Sequence, residues 1–117
     1  MKLTGYPDAI AHSQHTLLRA ERTTRSTKTK LDEIISQIDV AIAFDGELKN
    51  DAQRKAKKAD SLKSDAYLDI FEAYRVEAEK WEDLEVDHQL LLNRFSVAKL
   101  ETREAIAHLE LNAAIAA

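Results

Sequence analysis

Cysteine is absent from the chain, and proline and glycine nearly so: one Pro and two Gly in 117 residues. Without Cys there is no disulfide framework, no thiolate zinc site and no cysteine nucleophile. So little Gly and Pro leaves nothing to make the closely spaced turns of a sandwich or barrel, so an all-β fold is excluded. Gly5 and Gly46 lie far apart in sequence, and no glycine-rich loop exists to close backbone N–H groups around a phosphate. P-loop and dinucleotide-binding chemistry are therefore not expected. No run approaches about 18 consecutive apolar residues, and the opening Met1-Lys2-Leu3-Thr4-Gly5-Tyr6-Pro7 lacks the apolar core of a secretory signal. No membrane association and a cytoplasmic location are the expectation.

Ala, Leu, Glu, Lys and Arg make up about half of the residues, the composition of long helices and coiled coils. The period matches. Ile10, Leu17, Leu31 and Ile38 recur at sevens, with Thr24 in the central slot, and Ala20, Thr27, Ile34 and Ala41 sit three residues after successive members. This heptad seam predicts a first helix over 7–44, opening at Pro7, whose fixed φ suits a first helical position. Residues 1–6 form a tail before it. Asp45-Gly46 supplies the stop, with Gly46 expected to take the left-handed conformation that ends many helices.

From Glu47 to about Ala113 there is neither Pro nor Gly. This stretch, 47–113, is one very long helix or two helices meeting in Ser61-Leu62-Lys63-Ser64-Asp65, where Ser61, Ser64 and Asp65 can each cap a helix start. Tyr67, Phe71, Tyr74, Ala78, Trp81, Leu84, His88, Leu91, Phe95, Ala98, Thr102, Ile106 and Leu109 then step by threes and fours along one face. A second set, Leu68, Val86, Leu90, Val97, Leu100 and Leu111, projects from nearly the opposite side. If the chain turns at Asp45-Gly46, residue i lies across from about 92 − i and the first helix runs out near Glu85. The remainder overhangs. Leaving its large apolar side chains in water forgoes about 1.5 to 3 kcal/mol each, so the segment is expected to find cover in another copy or another protein.

Charge is uneven, with residues 1–64 net positive and 65–117 net negative. The basic stretch 19–30 holds Arg19, Arg22, Arg25 and Lys28 at steps of three among hydroxyl side chains, a pattern able to line a nucleic-acid backbone. No aromatic residue sits within it to stack on bases, and the chain as a whole is acidic. A second basic run, Arg54-Lys55-Ala56-Lys57-Lys58, reads as a solvated helix surface. Asp8, His12 and His15 share one helical face, and Glu85-Val86-Asp87-His88 has the Glu-x-x-His spacing of di-iron bundles. Only one such motif occurs, so neither metal nor cofactor is expected. No arrangement specifies a nucleophile and base, so the chain is not expected to be an enzyme.

Two segments, Leu48-Lys49-Asn50-Asp51-Ala52-Gln53-Arg54-Lys55-Ala56 and Leu92-Asn93-Arg94-Phe95-Ser96-Val97-Ala98-Lys99-Leu100, resemble small helical proteins of bacterial phages and mobile elements over roughly residues 47–107. There the position after Asp65 is often Pro, and here it is Ala66. The resemblance implies a setting near DNA-processing genes and assigns no functional residue.

The sequence thus predicts one all-α domain over 1–117, an elongated antiparallel helical hairpin of coiled-coil character, either unbroken in its second arm or broken near Ser64 into three helices. It is expected to self-associate at least as a dimer, or to bind a protein partner, through Leu90, Leu91, Phe95, Val97, Leu100 and Leu111. Nucleic-acid contact through Arg19, Arg22, Arg25 and Lys28 is the alternative.

Overall fold

A computed structural model describes residues 1–117. After a single 3-10 turn at Leu3–Gly5 the chain forms three helices and no strand: α1 (Tyr6–Ala43), α2 (Asp51–Ser61) and α3 (Asp65–Ala116). It is an all-α helical hairpin, with the returning arm broken in two.

The breaks have local causes. α1 ends without a left-handed glycine, because no glycine in the chain has positive φ. The expectation for Gly46 is therefore corrected: Asp45 makes the turn instead. Its Oδ1 accepts from the Glu47 N–H at 3.0 Å, its carbonyl accepts from the Leu48 N–H, and its own N–H has tightened onto the Ile42 carbonyl at 3.2 Å. An aspartate that bonds its own backbone two residues on competes with helix continuation. Asn50 then caps α2, its Oδ1 accepting from the Gln53 N–H at 2.9 Å. The Gln53 side chain reaches back to the Lys49 N–H, a variant of the reciprocal capping box. α2 stops in Ser-Leu-Lys-Ser-Asp, where Lys63 and Ser64 make short i→i−3 bonds to Asp60 and Ser61. Ser64 Oγ accepts from the Tyr67 N–H at 3.3 Å and starts α3.

The chain packs as two compact units: Met1–Leu18 with Asp83–Ala117, and Arg19–Glu82. In the second, α1 and α3 run antiparallel and bring the heptad seam inward. Leu31 is 4% exposed, and Ala20 and Thr24 are also buried. Ile34, Ile35 and Ile38 of α1 and Tyr67, Ile70, Tyr74 and Trp81 of α3 are half-buried. The polar slot at Thr24 is satisfied: its hydroxyl lies 2.8 Å from the Ala20 carbonyl and 3.1 Å from the Glu77 carbonyl across the seam. A buried hydroxyl so placed avoids the penalty of an orphaned donor. α2 is tied to α1 by the Lys58–Asp39 ion pair at 2.9 Å.

In the first unit the two helices are again antiparallel. Tyr6 is buried and stacks on Phe95, with ring centroids 5.2 Å apart and planes 15° from parallel. Two turns further along, the seam is polar, Ser13 Oγ lying 2.8 Å from His88 Nδ1. Ile10, Leu91 and Leu92 are half-buried between these contacts, and Leu17 and Leu84 just beyond the second.

The pairing distances correct the expected register. Tyr6 meets Phe95, Ser13 meets His88 and Thr24 meets Glu77, so residue i of α1 lies across from about 101 − i of α3. The expected 92 − i presumed a two-residue turn. The chain instead spends residues 44–50 on the first connection and 62–64 on the break. Those extra residues slide the returning arm, and α1 covers α3 well past Glu85.

Candidate functional site

Because α1 packs on one side of α3, the opposite side has no cover within the chain. Val86 is 67% exposed, Leu90 45%, Val97 52%, Leu100 61% and Leu111 56%. Single exposed leucines are ordinary on a protein surface. Here the spacing makes them one surface, since positions 86, 90, 93, 97, 100, 104, 107 and 111 alternate fours and threes, the repeat of a coiled-coil seam. Asn93 and Glu104 are its polar members and Ala107 its small one. Gln89 Nε2 donates to Asn93 Oδ1 at 3.0 Å and holds that side chain on the seam's edge.

The same side of α3 is of different character toward its N-terminus. Leu68 is exposed there, but Arg75 follows and pairs with both Glu72 and Glu79. The hydrogen bond from Arg75 holds the Glu72 carboxyl below the usual glutamate range, and the two carboxylates push the guanidinium above its ordinary value. This stretch is a solvated ion network, so the continuous apolar surface begins at Val86.

The six residues expected at an interface are thereby divided. Leu90, Val97, Leu100 and Leu111 share the uncovered side. Leu91 and Phe95 are half-buried on the side facing α1, and Phe95 is the partner of Tyr6. Past Ala98 every residue of α3 is exposed. Ile106 and Leu109, which continue the α1-facing line, are 48% and 69% exposed because α1 has already begun at Tyr6. The overhang is thus shorter than expected, 99–116, and is apolar on both sides.

A groove of about 460 Å³ lies beside this seam, between Met1 and Tyr6 on one side and Leu90, Asn93, Arg94, Val97, Ala98 and Glu101 of α3 on the other. Neither Arg94 nor Glu101 has an ion-pair partner within the chain. A second groove of about 460 Å³ follows the isoleucine-rich end of α1, where Ile34, Ile38 and Ile42 face Lys57 and Ser61.

The basic residues do not form a stripe. Three residues advance a helix by about 300°, so Arg19, Arg22, Arg25 and Lys28 rotate through about half a turn. Arg25 pairs with Glu21 at 2.8 Å and Lys28 with Asp32 at 2.7 Å. Lys28 Nζ also sits 5.9 Å from the Tyr74 ring centroid. Its hydrogen bond to Asp32 raises its pKa. Arg19 and Arg22 remain exposed. His88, expected to lie beyond the first helix, faces Ser13 of α1 instead, and His12 and His15 are exposed. No three His, Asp or Glu side chains converge to hold a metal ion, and no helix is long and apolar enough to cross a membrane.

Fold and surface together define a helical hairpin with one unpaired coiled-coil seam. No protein-family model, curated protein or solved structure matches the chain.

Proposed function

We propose that this chain is a non-enzymatic assembly module that works by self-association through the uncovered side of α3. The observation that carries this is the seam Val86, Leu90, Val97, Leu100 and Leu111, each about half exposed or more on a helix whose other side is already packed. Covering the exposed half of each such side chain stabilises by roughly 1 kcal/mol. A seam of this repeat has a natural partner in a second helix with the same repeat.

Nucleic-acid contact has less support. Its four basic residues point in different directions around α1, and two of them are already paired with carboxylates.

The test is solution mass by sedimentation equilibrium, compared with Val97→Asp plus Leu100→Asp. Both positions are exposed, so the packing of α1 on α3 is expected to survive and far-UV circular dichroism to stay predominantly helical. The parent protein is expected to show at least a dimer and the variant a monomer. A parent that stays monomeric at about 100 μM, where a pair with a Kd of about 1 μM is largely associated, overturns the proposal. So does a variant with undiminished mass.

A further inference from the structure

The polar members of the seam specify how the second copy lies. From their positions we infer that two copies pair through α3 antiparallel, centred between Val97 and Leu100, and this rests on the self-association proposed above. The layers of that arrangement are Val97 against the partner's Leu100, Leu90 against the partner's Ala107 and Val86 against the partner's Leu111. Asn93 then meets the partner's Glu104. Every apolar member faces an apolar one, and the amide of Asn93 faces a carboxylate it can donate to.

Other alignments break this matching. A shift by one heptad in one direction places Glu104 against the partner's Val86 and Asn93 against the partner's Val97. In the other direction it places Glu104 against the partner's Leu100 and Asn93 against the partner's Leu111. Each buries a polar group against an aliphatic one, the penalty by which a seam polar residue fixes register. A parallel, in-register pair sets Glu104 directly against the partner's Glu104, which is repulsive.

The flanks agree. In the antiparallel arrangement Arg94 falls beside the partner's Glu101, and two-fold symmetry makes that pair occur twice. These are the two charged groups that line the groove on this side and lack ion-pair partners in their own chain. Asp87 likewise falls beside the partner's His108. The overlap from 86 to 111 is about 38 Å of helix, all of it within the unit that holds Asp83–Ala117.

The natural absence of Cys makes cross-linking a clean test. Leu90→Cys and Ala107→Cys are prepared separately and mixed in a glutathione buffer. The mixture is expected to form the mixed disulfide dimer, while each variant alone does not, because its own thiols lie about 25 Å apart. Rapid self-linking of Leu90→Cys shows a parallel pair and overturns the inference. Dimeric mass with no mixed cross-link overturns the register while leaving self-association standing. A monomer under all conditions overturns both. Independently, Arg94→Glu is expected to weaken dimerisation about tenfold, and Glu101→Arg in the same chain to restore it. In a parallel pair these two residues do not face each other, so an unchanged dissociation constant in Arg94→Glu also overturns the inference.

Discussion

The stack of Tyr6 on Phe95 sets the register of the first unit, and a double-mutant cycle reads it directly. Tyr6 is 8% exposed, so Tyr6→Ala is expected to cost about 3 kcal/mol. Phe95 is only half-buried, which places Phe95→Ala near 2 kcal/mol, below the 3 to 5 of a fully enclosed ring. Rings at 5.2 Å and nearly parallel contribute about 1 kcal/mol beyond the area they cover. The double variant should therefore be about 1 kcal/mol more stable than the sum of the single losses implies. Urea unfolding followed by far-UV circular dichroism measures all four proteins, in the Val97→Asp, Leu100→Asp background and at one protein concentration, so that association does not enter the midpoint. Additivity within about 0.3 to 0.5 kcal/mol refutes the pairing. It would favour the 92 − i alignment, in which Phe95 lies past the end of α1 and touches nothing on it.

Leu31 is the most enclosed side chain of the other unit, and Leu31→Ala is expected to lose about 2 to 5 kcal/mol, seen as a lower urea midpoint. Thr24→Val keeps the shape but removes the hydroxyl between the Ala20 and Glu77 carbonyls; those carbonyls keep their helical partners, so a loss of about 1 kcal/mol is expected by the same assay. Glu72 should titrate below the exposed glutamates in carbon-detected NMR, and Arg75→Ala should bring it back to the ordinary range. With a folded pKa below the unfolded one, its small stabilisation is complete above the unfolded value of about 4.3 and fades as pH falls through the lowered one.

Much of this architecture is legible in the residues themselves. The sevenfold spacing from Ile10 to Ile38 names the buried side of α1, and the two opposed sets on α3 anticipate that one would stay uncovered. The break at Ser64 is visible as the only hydroxyl-rich cap in a stretch without Gly or Pro. The register was not visible, because it depends on how many residues the connections absorb. By residue type Gly46 is the evident stop, whereas the side chain of Asp45 and the capping pair Asn50 and Gln53 lengthen the turn. Asn50-Asp51-Ala52-Gln53 carried that signal, since a Gln three residues after an Asn cap marks a helix start. The slip in register is also why α1 reaches far enough to cover Leu91 and Phe95 instead of leaving them on the overhang.

Every residue of the stretch 99–116 of α3 is exposed. Short helices of that length, left to themselves in water, fray, since tertiary packing rather than propensity supplies most helical stability. Its amides should therefore exchange with deuterium quickly in dilute solution while those near Leu84 to Phe95 are protected. Protection of the terminal turns should rise with protein concentration, so that order at this end of the molecule is itself a gauge of how much company it has.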